Sequence, residues 1–272
     1  MIRLAVRCSP ELAERVLGEL VELAPNGLEE ASGEGWVEYA LYGPPGEVPT
    51  LGELEATAGD ATVEVSTTEI PDDWGDRWKD FHRAVTIGDR LVVRPSWQAA
   101  GGRWQVEIVV DPGQAFGTGA HATTRMCLEL LLELADRGEA RGPLTDLGTG
   151  SGVLAIATAK LGWGPVAGFD HEGAALEAAA ANARANGVEL ELGRVNLRDE
   201  LPALAPTVVA NLTAPLLGEV AGRLARIPDR LVCSGLLVSE QEQVEGAFAA
   251  RGLVTLDRRA SGDWAALLMT HA

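Results

Sequence analysis

With 272 residues, 46% of them apolar, the chain is long enough for one large domain or for two, each with its own core. Its net charge of -18 comes with no cluster of Lys and Arg, which excludes a surface built to follow nucleic-acid phosphates, and no apolar run of about 18 residues marks a membrane span. Cys8, Cys127 and Cys233 stand apart with no CxxC or Cys/His spacing, so neither a disulfide framework nor a zinc site is suggested; a soluble, unsecreted protein of the reducing cytoplasm is expected.

The charge is uneven. Residues 1–65 hold 13 Asp and Glu against 3 Arg and no Lys, so a quarter of the chain carries over half of the net charge. Such acidity is either a solvated face or a surface that steers a basic partner. Residues 2–8 alternate like a half-buried strand, and Ser9-Pro10-Glu11 supplies an N-cap and a first-turn Pro for a helix predicted to about Leu23. Gly33-Glu34-Gly35 separates strands predicted over 27–32 and 35–42; a short helical segment near 51–58 and an alternating run over 61–67 follow. These elements predict a small α+β domain over 1–67. Residues 68–95 are predicted as a helical linker, in which Trp74, Trp78 and Phe81 share one helical face, as packing between domains or as an aromatic substrate cage.

Over 96–272 strands and helices alternate, the pattern of a parallel, doubly wound α/β sheet. Strands are predicted at 144–146, 166–170, 189–194, 207–211 and 230–234, with helices at 123–134, 153–160, 174–185, 215–225 and 238–251. Asn186-Gly187 supplies C-cap residues. Leu253–Leu256 and Trp264–Met269 lie too close together for an intervening helix, so they are expected as an antiparallel hairpin.

The chemistry concentrates at the carboxyl ends of these strands. Gly148, Thr149, Gly150 and Gly152 form the turn after the first strand, where missing side chains let the backbone approach a ligand and helix N–H groups face it. The spacing is GxGxG, not the GxGxxG of nicotinamide enzymes, and Asp146 precedes it. A carboxylate there is a poor neighbour for a pyrophosphate and suits the cationic end of S-adenosylmethionine. The terminal hairpin points the same way, toward a methyltransferase sheet and away from an all-parallel dinucleotide sheet. Asp170 ends the next strand, where a carboxylate accepts both ribose hydroxyls or caps the following helix.

Asn211 closes the strand at 207–211, so its amide stands at the cofactor crevice, where it can also cap the helix at 214–225. A neutral amide can accept a hydrogen bond from an amine without adding a competing charge. This matters because methyl transfer uses a nitrogen lone pair, and a protonated amine, with pKa of about 8 for an α-amine and about 10.4 for Lys, has none. The Gly-rich segment 111–124 reads as a loop folding over a ligand, with Phe116 and Gly117 against the cofactor. His121 in that loop is a candidate proton acceptor, and Thr123 and Thr124 either cap the next helix or contact the cofactor carboxylate.

On these residues the sequence resembles the PrmA family, methyltransferases of large-subunit ribosomal protein eleven. The resemblance covers nearly the whole chain and is carried by Asp73-Trp74, Trp78-Lys79, residues 92–97, the Asp-Pro-Gly-x-Ala-Phe-Gly-Thr-Gly-x-His-x-Thr-Thr loop at 111–124, residues 146–157 and Val209-Ala210-Asn211-Leu212. It implies cofactor contacts at Thr124, Gly148, Asp170 and Asn211. It also implies a seven-stranded Rossmann-like class I methyltransferase sheet and a ferredoxin-like N-terminal domain that recognises a basic ribosomal protein. Methylation would then fall on Lys side chains and the N-terminal α-amine of that protein, by a monomer that binds neither nucleic acid nor membrane. The family usually has Asp-Ile-Asp-Pro where this chain has Asp170-His171-Glu172-Gly173, and bulkier or polar residues where Ala120 and Ala122 stand. Two other readings stay open: a methyltransferase of this fold acting on another amine, and a non-catalytic cofactor-binding assembly factor.

Overall fold

Alternation along the first strand builds the N-terminal core: Leu4, Val6 and Cys8 of β1 (Ile2–Cys8) pack with Tyr39 and Leu41 and with Val16 and Leu20. The computed structural model describes residues 2–13, 16, 17, 20, 29–33, 35–43, 63–69, 84–99, 101, 102, 104–111 and 121–271. These fall into two units, 2–69 and 84–271. In the first, β1 lies between β3 (Trp36–Gly43) and β4 (Glu64–Glu69), and β2 (Glu29–Gly33) flanks β3, all antiparallel, in the order β2-β3-β1-β4. That is the strand order of a ferredoxin-like sheet. Ser9 precedes a 3-10 turn, Pro10–Leu12, and its side chain makes no cap hydrogen bond. The C-terminal end of the helix expected to Leu23 and the segment near 51–58 lie outside the described residues.

The second unit opens with short strands where a helical linker was expected. The described part of the expected helical linker is β structure: β5 (Val85–Ile87) and β6 (Leu91–Arg94) form an antiparallel hairpin, and β7 (Val106–Val109) pairs parallel to β6. Gly88, at φ 55°, reverses the chain, and Ile87, Leu91 and Val93 are buried. Trp74, Trp78 and Phe81 lie outside the described residues.

Seven strands follow in the order β10-β9-β8-β11-β12-β14-β13. These are β8 (Leu144–Leu147), β9 (Val166–Asp170), β10 (Glu191–Arg194), β11 (Thr207–Asn211), β12 (Arg230–Leu237), β13 (Leu253–Ser261) and β14 (Trp264–His271). The first five are mutually parallel where they pair, and β14 is antiparallel to both β12 and β13, as the hairpin expectation required. The helices are α1 (Ala122–Asp136), α2 (Val153–Leu161), α3 (Gly173–Asn186), α4 (Ala214–Arg223) and α5 (Gln241–Ala249). Strand residues alternate between two cores: Val209 and Val232 join Leu128, Leu131 and Ile156 on one face, while Val208, Ala210 and Leu231 join Leu217 and Phe248 on the other. Burial on both faces is why β11 reads as a continuous apolar run. Strand order reverses between β8 and β11, and connections leaving to opposite faces there open a crevice at the carboxyl ends of the strands.

Candidate active site

The turn after β8 needs its glycines. Gly148, Gly150 and Gly152 all have positive φ, at 72°, 51° and 81°, where a side chain would be strained. A Cβ on Gly148 would also lie 2.4 Å from Leu212 Cδ2, and one on Gly152 would press on Ala179. The turn is pinned from three sides. Gly148 and Thr149 N–H donate to Phe169 O, Gly150 N–H donates to Asp170 Oδ2 at 2.9 Å, and Asn182 Nδ2 donates to Ser151 O at 2.8 Å. Asn182 was not anticipated; its signal is a buried amide in an otherwise Ala-rich helix.

Asp146 is fully buried beneath this turn. Its Oδ2 accepts from Thr149 Oγ1 at 2.8 Å, while Oδ1 makes no hydrogen bond of normal geometry. Burial pushes the carboxyl up to about 7, against a smaller downward pull from the Thr149 hydroxyl and the Ala155 amide and with a further upward push from Asp170. An unsatisfied, desolvated acid beneath an open backbone turn fits a cationic ligand group, and with the glycine cradle it fits S-adenosylmethionine.

Between about pH 4 and 7 the ligand-free folded state holds a proton on Asp146 that the unfolded state has released, so this group makes stability fall as pH rises through that window and level off above it. Denaturant unfolding should therefore show wild type losing a few kcal/mol more than Asp146→Asn between about pH 4 and pH 8. Parallel pH dependences for the two proteins would show that Asp146 is already ionised in the fold.

Asp170 does not cap α3, whose N-cap is Glu172; instead Asp170 Oδ1 accepts the Glu172 N–H at 3.1 Å, and the His171 ring stands 3.3 Å from the same oxygen. The side chain is nearly buried and lies at the strand end expected for a ribose acceptor. Phe116 and Gly117 lie outside the described residues.

At β11 the structure brings together residues that the sequence kept far apart. Asn211 Nδ2 donates to both Thr123 Oγ1 and Thr124 Oγ1, at 3.2 Å each. The cap of α1 is His121, not either threonine: its Nδ1 accepts the Thr123 N–H. The Asn211-Leu212 backbone is held by a glycine that sequence reasoning missed. Gly235 sits at a register shift in β12 with φ 88°, and a Cβ there would fall 2.4 Å from Leu212 O. Leu212 N–H donates to Ser234 O at 2.9 Å, so β12 fixes the loop that follows Asn211. A Ser-Gly pair inside an apolar strand was the available signal.

Comparison with known proteins bears on this geometry. Residues 48–272 match the family model described as ribosomal protein L11 methyltransferase (PrmA). The ribosomal protein L11 methyltransferase of Syntrophotalea carbinolica is 40% identical over 215 residues, covering 75% of this chain and 70% of its own length. That of Pelotomaculum thermopropionicum is 39% identical over 218 residues, covering 77% and 69%. The crystal structure of a ribosomal protein L11 methylase from Lactobacillus delbrueckii subsp. bulgaricus superposes with a TM-score of 0.62 at 27% identity, over 70% of this chain and 99% of that one.

Proposed function

The chain belongs to the ribosomal protein L11 methyltransferase (PrmA) family and is an S-adenosylmethionine-dependent methyltransferase, and from that premise we propose that it methylates Lys side chains and the N-terminal α-amine of ribosomal protein L11. The observation that carries the amine reading is Asn211: its NH2 group is committed to Thr123 and Thr124, which leaves the amide oxygen as the group that meets a substrate nitrogen.

The donor supplies an electrophilic methyl group, and the chain's residues bind, orient and desolvate around it. Asp146 would favour the donor's cationic end from beneath the turn, Asp170 would accept the ribose hydroxyls, and Gly148, Thr149, Gly150 and Gly152 would bring the backbone against it. Thr124, whose oxygen already accepts from Asn211, retains its own hydroxyl hydrogen to donate to the donor's carboxylate. At the acceptor, an amide oxygen receives an N–H while the nitrogen lone pair stays directed at the methyl group. Because that oxygen carries no full charge, it does not hold the amine as an ammonium in the way a carboxylate would.

Residues 1–67 would act as the substrate-recognition domain. Glu11, Glu30 and Glu64 are exposed there, while Glu38 is neutralised internally by Arg3 and Arg7. An acidic surface of this kind draws a basic ribosomal protein toward the catalytic unit. Among the described residues no helix is long and apolar enough to cross a membrane, and we place the activity in the cytoplasm, with a monomer as the working form. Peptide mapping of the methylated product checks the site reading. Methyl groups are expected on Lys side chains and the N-terminal nitrogen, and methyl groups confined to other residue types would overturn it.

A further inference from the structure

Behind Asn211 a line of side chains runs back to the sheet's antiparallel strand. Thr123 Oγ1, which faces the Asn211 amide, lies 2.7 Å from His121 Nδ1, and the His121 ring meets Trp264 of β14 edge to face, with centroids 4.9 Å apart and planes at 72°. We assign His121 Nδ1 as the unprotonated ring nitrogen, because the Thr123 backbone N–H points at it from 3.4 Å in the helix cap. The Thr123 hydroxyl, 2.7 Å from the same nitrogen, is then the main donor to its lone pair, which the backbone N–H shares, and the hydroxyl oxygen is left able only to accept. The group of Asn211 that faces it is consequently the NH2, and the amide oxygen points the other way. Burial pushes the His121 imidazole below its ordinary range, consistent with a neutral ring at pH 7.

We infer that His121 and Thr123 are positioning residues for methyl transfer, setting the orientation of the Asn211 amide so that its oxygen, not its NH2, meets the acceptor amine, with Trp264 fixing the imidazole. The inference rests on the proposed role of Asn211 and gives His121 a task other than proton removal. With an oxygen at the site, the amine donates an N–H and keeps its lone pair for the methyl group. With an NH2 there, the lone pair is hydrogen-bonded and withheld. Removing the Thr123 hydroxyl takes away the acceptor-only oxygen that selects the NH2 and leaves Thr124, a hydroxyl able to accept or to donate, which can hold either of the two nearly isosteric orientations of the side-chain amide.

The test uses the full chain, with single-turnover methylation of ribosomal protein L11 and calorimetric binding of S-adenosylhomocysteine. Thr123→Val should slow transfer about 10- to 100-fold at saturating donor and acceptor, the effect of one misplaced charge-free hydrogen bond, with donor-product affinity within about twofold of wild type. Thr123→Ser, which keeps the oxygen, should recover most of the rate. Adding Thr123→Val to Asn211→Ala should cost nothing further, because no amide remains to be oriented. Wild-type rates in Thr123→Val, a Ser variant as slow as the Val variant, or multiplicative losses in the double variant would each overturn the inference alone. Wild-type transfer by Asn211→Ala would overturn the role of Asn211 and this inference with it.

Discussion

Replacing Asp170 with Ala is expected to weaken binding of S-adenosylmethionine about 100-fold, the loss of two hydrogen bonds to a charged acceptor at roughly 1.5 kcal/mol each. Two features set this magnitude. The carboxylate is nearly buried at the end of β9, so its bonds to ribose hydroxyls form out of bulk water. It is also already oriented, by Gly150 N–H on Oδ2 and Glu172 N–H on Oδ1, so little ordering cost attends ligand binding. Those same bonds make Asp170 a brace for the glycine turn, and Asp170→Asn separates the two contributions. Asn retains an oxygen acceptor for the Gly150 amide but lacks the charge and one acceptor, so its affinity should fall between those of wild type and Ala. Turnover at saturating donor should change less than affinity in both variants. Calorimetric titration with S-adenosylhomocysteine reads this directly, and affinities within about threefold of wild type would remove Asp170 from the binding site.

For Asn211→Ala the split runs the other way. Transfer should fall about 100- to 1000-fold, while donor affinity falls by much less, because the lost group acts on the acceptor amine in the transition state. Asn211→Asp should also be slow, for two reasons drawn from the same geometry. A carboxylate has no hydrogen to give to Thr123 and Thr124, which would leave it facing their oxygens. Its charge would also stabilise the substrate as an ammonium, raising the amine pKa and shifting the rate profile toward alkaline pH. A profile superimposable on wild type would argue that Asn211 does not touch the reacting nitrogen.

What could be read from the sequence follows from how local each signal is. The strands at 166–170 and 207–211 match the structure residue for residue, since each is a short, mostly apolar run ending in a polar residue at the strand's carboxyl end. The hairpin of β13 and β14 was recoverable from spacing alone. The strands β5 and β6 were not: they are only three and four residues long, and the aromatic spacing just before them suggested a helix. At the site, Asp146, Gly148 and Asp170 announce themselves by position in a strand-turn-helix pattern. The pairing of Asn211 with Thr123 and Thr124 spans 87 and 88 residues and depends on α1 packing beside β11, which no local pattern encodes. Gly235 escaped because its requirement comes from Leu212 on a neighbouring strand. His121 as a cap was hidden by its side-chain type, since Ser, Thr, Asp and Asn are the residues normally sought there.

The most direct test of the account is to incubate the purified protein with S-adenosylmethionine and recombinant ribosomal protein L11 and follow the intact mass of the substrate, with Asn211→Ala and Asp170→Ala alongside. The account predicts mass gains in whole methyl steps that are lost or greatly slowed in Asn211→Ala at any donor concentration, and in Asp170→Ala when the donor is below saturation. An unchanged substrate mass, in a preparation shown to bind the donor, would contradict it.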